Sequence, residues 1–262
     1  MEEYLKFAQQ LAGSAGRQLL AQFNSAEMPS RDSSIKTKFD LEADKLIISQ
    51  IRKKFPKHSL LTEETGWIKH DDTYLWIIDP IDGTGNFINH NPFFSISIAL
   101  WKNGRPLLGL IEAPFLGERY IAVAGKGAWK TDIKTGKKTR VRVAKTKKLA
   151  DAYIIFCTGH KVSRQKGFKL VSQLYPKVKR LRQLGSAGIE LAWIGTGRAD
   201  AFILPGSFLW DIAAGILFVR EAGGRVLDFQ QKELDYHKIL KQKNIDLIAV
   251  SADLRLPKKI NY

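Results

Sequence analysis

Two aspartates stand three residues apart in LWIIDPIDGTGNF, Leu75 to Phe87, where an apolar run breaks into proline and glycine. The apolar run reads as a strand ending at Asp79, and Pro80 and Gly83 make the backbone turn tightly around Asp79 and Asp82. Two more acidic spots sit at the ends of elements. Glu63 and Glu64 in TEET follow the strand candidate SLL, and Asp211 in WDIAAG opens a helical run. Singly, each has an ordinary structural reading, as turn composition, exposed surface or helix N-cap. Jointly, hard oxygen ligands with no nearby Cys or His pairs describe a Mg²⁺ site. Carboxylates brought together also repel unless cations neutralise them.

The elements that must position these acids follow from periodicity. Tyr4, Leu5, Ala8, Leu11, Ala12, Ala15, Leu19 and Phe23 recur at helical spacing, which predicts an amphipathic helix over residues 2–24. A second helix is expected from Leu41 to Phe55, then strands at 59–61 and 74–79. SISIALW, PLLGLIEA and RYIAVA, separated by Asn103-Gly104 and Leu116-Gly117-Glu118, predict a meander. Residues 130–148 carry nine Lys or Arg and read as a loop followed by an edge strand. Beyond them strands and helices alternate: YIIFC, a helix near 162–174, KRLRQL, a helix near 187–195, DAFIL, a helix from Asp211 to Glu221, RVLDF and DLIAVS. No repeat or flexible linker divides the chain, so one catalytic unit is expected, with residues 1–148 carrying the metal motifs and 149–262 completing the site. The fold class is α/β or α+β, with helices layered on mixed sheets.

Composition sets the boundaries. The 262 residues are 44% hydrophobic, enough for a sizeable core, and no apolar run approaches the ~18 residues of a membrane span. The opening MEEYLKF lacks the basic-then-apolar shape of a signal peptide. The single Cys157 lies in an apolar run and reads as a buried thiol, which fits a cytoplasmic protein. The net charge of +16 favours anionic partners: phosphorylated small molecules, nucleic acid or an acidic membrane surface. Histidines 58, 70, 90, 160 and 237 show no ligand spacing and read as surface or loop residues.

Glu63-Glu64 after a strand, DPIDGT, and WDIAAG followed by EAGG, in this order and separation, resemble the inositol monophosphatase family of Mg²⁺-dependent, Li⁺-sensitive phosphatases. The resemblance covers nearly the whole chain and implies the layered sugar-phosphatase fold, a homodimer, and hydrolysis of a small phosphorylated polyol or sugar. It implies that Glu63, Asp79 and the Ile81 carbonyl hold one Mg²⁺, that Asp79, Asp82 and Asp211 hold a second, and that Glu63 also serves a weaker third ion. It further implies that the amides of Gly83 and Thr84 hold the phosphate. Thr84, held by Asp40, would orient and deprotonate the attacking water, with Glu64 as a supporting carboxylate. Gly185, Ser186 and Ala187 match a substrate-contacting turn.

The chain departs from the family pattern at four positions. Thr62 replaces a glycine, Gly85 a threonine and Ser34 an aspartate. Leu204 replaces the glutamate that hydrogen-bonds substrate hydroxyls in the inositol-selective members. Fructose-1,6-bisphosphate, histidinol phosphate, 3′-phosphoadenosine 5′-phosphate and a nicotinamide dinucleotide phosphate therefore stay open beside inositol-1-phosphate. The glycine runs at 83–85, 125–127 and 136–137 fail the dinucleotide and P-loop patterns. Residues 130–148 are the candidate nucleic-acid segment, although only Trp129 borders them as an aromatic.

Overall fold

The computed structural model describes residues 1–25, 38–157 and 164–257. Ser34 and His160 lie outside the described residues. Two helices come first, α1 (Glu2–Ser25) and α2 (Lys38–Lys54). Their inward stripes, including Ala8, Leu11, Leu19, Ile47 and Ile51, are fully buried.

Eight strands form the larger sheet: β1 (His58–Thr62), β2 (Gly66–Ile68), β3 (Asp71–Asp82), β4 (Ser95–Lys102), β5 (Arg105–Ala113), β6 (Glu118–Val123), β7 (Gly127–Asp132) and β8 (Lys138–Arg140). Their order is β2-β1-β3-β4-β5-β6-β7-β8, a meander from β3 onward, as the turn residues require. Alternation along β3 divides its residues between two cores. Trp76 and Ile78 face α1 and α2, while Ile77 faces the opposite layer.

The second half contributes β9 (Tyr153–Phe156), α4 (Arg164–Leu174), β10 (Arg180–Arg182), α5 (Ala187–Gly195), β11 (Ala201–Ser207), α6 (Leu209–Glu221), β12 (Arg225–Leu227), α7 (Tyr236–Ile239) and β13 (Ile245–Val250). A helix, α3 (Thr84–Ile88), links β3 to β4. The smaller sheet runs β10-β9-β11-β13-β12. Helices α5 and α6 fill the space between the two sheets, and α4 packs Leu170 and Leu174 on the far face of the smaller one. The layers are thus helix, sheet, helix, sheet, helix, and the main core is the sandwiched one.

Several expectations need correction. The strand that was to end at Asp79 continues to Asp82 through a bulge: Asp79 pairs with Ser97 and Asp82 with Ser95, so one extra residue is accommodated opposite Ile96. Pro80 is tolerated there because a bulge relieves the ladder of one donor. The basic segment opens as the end of β7, and its loop turns into the edge strand β8, which pairs back antiparallel on β7. His58 is not a surface histidine. It stacks between Phe55 and Tyr74 and accepts a hydrogen bond from Trp76 Nε1 at 3.1 Å. Cys157 is half-buried rather than fully enclosed. Short β2, α3 and α7 were not anticipated, because three to five residues carry too little periodicity.

Two anchors hold α6, which carries Asp211. At its C-terminal end Glu221, the first residue of EAGG, accepts hydrogen bonds from Gly125 and Gly127 N–H at 2.7 Å each, closing the β6–β7 turn against the helix. Nearer its middle, a Cβ at position 109 of β5 would lie 2.5 Å from the Ala214 carbonyl oxygen, so only glycine permits this helix–sheet approach. Gly109→Ala has no rotamer with which to escape that clash. It should lower stability by about 1–3 kcal/mol in urea unfolding, and an unchanged midpoint would show that α6 sits further from the sheet.

Candidate active site

Glu63 follows β1, Asp79 lies in the bulged part of β3, and Asp211 is in the first turn of α6. These three segments converge so that one carboxylate oxygen from each lies within 4.8 Å of the others. Burial pushes the Glu63 carboxyl up to about 7, against a hydrogen bond with Asp79, and the charges of Glu64, Asp40 and Asp82 push the same way as burial. Asp79 is raised well above the ordinary carboxylate range by burial first, then by Glu63, Asp82 and Asp211. Asp211 is likewise raised by burial, opposed by the Phe208 N–H that it accepts at 2.8 Å. Protein atoms alone leave this acid group expensive to ionise, and a bound cation would remove that cost.

Asp82 is satisfied differently. Its carboxylate meets the start of α5, accepting from Ala187 N–H and Gly188 N–H at 2.8 Å each, from Ser95 Oγ at 2.6 Å, and from Ser186 Oγ. Burial raises its pKa and these four donors hold it down. Asp82 lies outside the close Glu63–Asp79–Asp211 group, although its charge raises both Asp79 and Asp211. No local pattern announces this arrangement, because three of its four donors, on Ser186, Ala187 and Gly188, lie more than a hundred residues away.

The Thr84 hydroxyl lies 2.9 Å from Asp40 Oδ1 and 3.0 Å from the Ile81 carbonyl oxygen. One hydrogen cannot fully serve both acceptors, so donation to Asp40 turns a Thr84 lone pair outward. Gly83, at φ 88, supplies the left-handed turn that starts α3, and a Cβ there would meet the Gly185 and Phe93 carbonyl oxygens at 2.9 and 3.0 Å. The 83–84 turn is therefore packed directly on the 185–186 turn.

That second turn is clamped from two sides. Asn86 Nδ2 donates to the Leu184 carbonyl at 2.7 Å, and buried Glu190 accepts from Leu184 N–H and Gly185 N–H at 2.8 and 3.0 Å. Burial pushes the Glu190 carboxyl up to about 8. Neither Asn86 nor Glu190 was singled out from the sequence, although Glu190 is the lone charge in the apolar helix AGIELAWIG.

The departures also find their places. Thr62 Oγ1 and Thr65 Oγ1 both donate to Asp44 Oδ2, at 3.2 and 2.6 Å, tying the Glu63-Glu64 turn to α2. A Cβ at Gly85 would meet nothing within 4 Å, so nothing in the structure requires glycine there. Leu204 is only 3% exposed and packs in the main core. Its side chain is part of the scaffold rather than an open contact surface.

The fold and this acid cluster define a phosphatase of the layered sugar-phosphatase class. A family model described as the inositol monophosphatase family matches residues 1–251, and the chain belongs to that family. A fructose-1,6-bisphosphatase/inositol-1-monophosphatase of Thermotoga maritima is 37% identical over 232 residues, covering 87% of this chain and 86% of that protein. A protein named Nus factor SuhB from Pasteurella multocida is 37% identical over 198 residues, covering 74% and 71%. The crystal structure of the extragenic suppressor protein SuhB from Bartonella henselae superposes with a TM-score of 0.85 at 31% identity, covering 96% and 95%. The chain is accordingly a phosphoric monoester hydrolase.

The raised Glu63 gives a test with a definite sign. In chelator, the folded protein keeps a proton that the unfolded chain releases near 4.5, so stability falls as pH rises from about 4.5 towards 7. The melting temperature in EDTA should drop between about pH 5 and pH 7.5, and Mg²⁺ should raise it more at the higher pH. A chelated protein that melts higher at the upper pH would contradict the cluster's protonation.

Proposed function

We propose that the protein is a Mg²⁺-dependent phosphomonoesterase acting on a small polyol or sugar phosphate through an activated water. The observation that carries this reading is the convergence of Glu63, Asp79 and Asp211 within 4.8 Å beside a Thr84 hydroxyl already bonded to Asp40. Carboxylate oxygens from one buried and two half-buried residues, with no sulfur or imidazole among them, suit a hard divalent cation. Two or three Mg²⁺ ions, held by Glu63, Asp79, the Ile81 carbonyl, Asp82 and Asp211, would supply neutralising charge for the phosphoryl oxygens and make water acidic enough to attack.

The chain's own groups do the rest. Thr84 Oγ1 accepts the proton of the attacking water as its own passes to Asp40, while Glu64 supports the Glu63 carboxylate. The amides of Gly83 and Thr84 orient the phosphate, and the 185–187 turn borders the alcohol that leaves. With Leu204 packed in the core, position 204 supplies no acceptor for substrate hydroxyls, which favours several substrates over one. Inositol-1-phosphate and fructose-1,6-bisphosphate, both in the name of the Thermotoga relative, are the first two to try. The enzyme works as a homodimer, as the resemblance implies, and in the cytoplasm, which suits a lone Cys157.

Phosphate release should require Mg²⁺ and be inhibited by LiCl relative to KCl at equal ionic strength. Asp79→Asn and Asp211→Asn should each abolish turnover at ordinary Mg²⁺, with partial rescue at high Mg²⁺. Thr84→Ala should lose about 10²–10⁴-fold in kcat while Thr84→Ser keeps most of it. Near-normal turnover in Asp211→Asn would remove the metal assignment, and a fully active Thr84→Ala would remove the base. Across a panel of phosphomonoesters, kcat/KM for inositol-1-phosphate should exceed that for fructose-1,6-bisphosphate by no more than about ten-fold, the worth of roughly one hydrogen bond.

A further inference from the structure

The positive charge of this chain is not spread over its surface. Residues 133–189 contain sixteen Lys or Arg and a single acid, Asp151, for a net +15 out of the whole chain's +16. The other residues are therefore almost neutral, with 26 basic against 25 acidic groups (42 − 16 and 26 − 1). Random decoration of a solvated surface would not leave such a division.

The fold gathers much of this segment in one place. Leu149, Val178 and Leu181 pack around the same small core as Leu170 and Leu174 of α4. Lys179 N–H donates to the Ala152 carbonyl, and Arg180 of β10 pairs with Tyr153, so the stretch before β9 lies beside the start of β10. A groove of about 460 Å³ runs along Lys145, Lys147, Lys148 and Asp151. Beside it, Lys177, Lys179 and Arg180 are exposed at the edge of the smaller sheet.

The same basic segment exposes two aromatic rings, on α4 and on the turn that leads into β10. Phe168 is 72% exposed and Tyr175 69%, the highest values among the exposed large hydrophobic residues described. They lie seven residues apart, on α4 and the turn that follows it. Trp129, the aromatic that borders the basic segment in sequence, is no substitute: it is half-buried, and Lys138 Nζ sits 4.6 Å above its ring.

We propose that this face binds single-stranded nucleic acid, with the lysines along the backbone and Phe168 and Tyr175 stacked on bases. A backbone-tracking line of cations with free aromatic faces is what a single strand needs. A duplex hides its base faces. A bilayer would need an apolar stripe, whereas Leu170 and Leu174 of α4 are already committed to the core and leave outward only isolated rings among cations. The proposal goes beyond the phosphatase reading and does not depend on it.

The test uses the full chain, with fluorescence anisotropy on a labelled oligouridylate of roughly 12 nucleotides. Binding should be measurable at about 50 mM KCl and weaken steeply with salt. Phe168→Ala/Tyr175→Ala should bind about ten-fold or more weakly with an unchanged salt slope. Lys147→Gln/Lys148→Gln/Lys179→Gln should make the log–log salt slope shallower by about 2, at ~0.7 per lost phosphate contact. Both variants should keep wild-type circular dichroism and hydrolyse a small phosphomonoester as fast as the wild type. The proposal is overturned by no binding at low salt, by equal or tighter binding to a matched duplex or to phosphatidylserine vesicles, or by an aromatic double variant that binds as tightly as the wild type.

Discussion

Asp82 joins the two halves of the molecule. It leaves the bulge of β3 and ends among the first amides of α5, with Ser95 on its own sheet and Ser186 on the facing layer completing its shell. A buried carboxylate in that position is stable only if its donors stay, and they stay only while the 184–188 turn and the β3 bulge remain in register. Asn86 and Glu190 fix the turn from either side of Leu184, and Gly83 lets the two turns touch without a Cβ between them. The placement of Asp79 and Thr84 against Asp211 follows from that joint. Breaking it would separate the phosphate turn from the turn that borders the leaving alcohol.

Held this way, the site gathers carboxylates in a partly enclosed place. Burial is the first cause of every raised carboxyl at the centre, and the mutual repulsion of Glu63, Asp79, Asp82 and Asp211 adds to it. The polypeptide tolerates this because the strained group is small and sits between two well-filled cores. The same arrangement makes the cluster responsive to a cation, since the cost of ionising these carboxylates together is relieved by binding one. Stability and function are opposed at these residues and reinforce each other at Asp82.

Much of this was legible in the sequence, for identifiable reasons. Long amphipathic stripes such as Ala8 to Leu19, and strands bounded by Asn103-Gly104, announce themselves by period and turn chemistry. Glu63, Asp79 and Asp211 could be nominated because each acid ends or opens an apolar run. The bulge could not be read, because DPID is ordinary turn composition and only pairing with Ser95 and Ser97 distinguishes bulge from turn. The bond from Thr84 to Asp40 spans 44 residues and that from Asn86 to Leu184 spans 98, distances over which no local pattern speaks. Leu204 looked like a substrate contact by position, and the packing of β11 makes it part of the core. The basic segment was visible as charge, whereas the exposure of Phe168 and Tyr175 could not be read before α4 was seen to turn Leu170 and Leu174 inward.

The central claim is that the Glu63–Asp79–Asp211 group holds protons in the free protein and gives them up to a divalent cation. Calorimetric titration of Mg²⁺ near neutral pH, repeated in buffers of different ionisation enthalpy, counts those protons directly. Net proton release is expected on binding, shrinking in Asp79→Asn and disappearing towards high pH, where Glu63, pushed up to about 7, is already ionised. Mg²⁺ binding with no proton release near neutrality, or no binding at all, would contradict it.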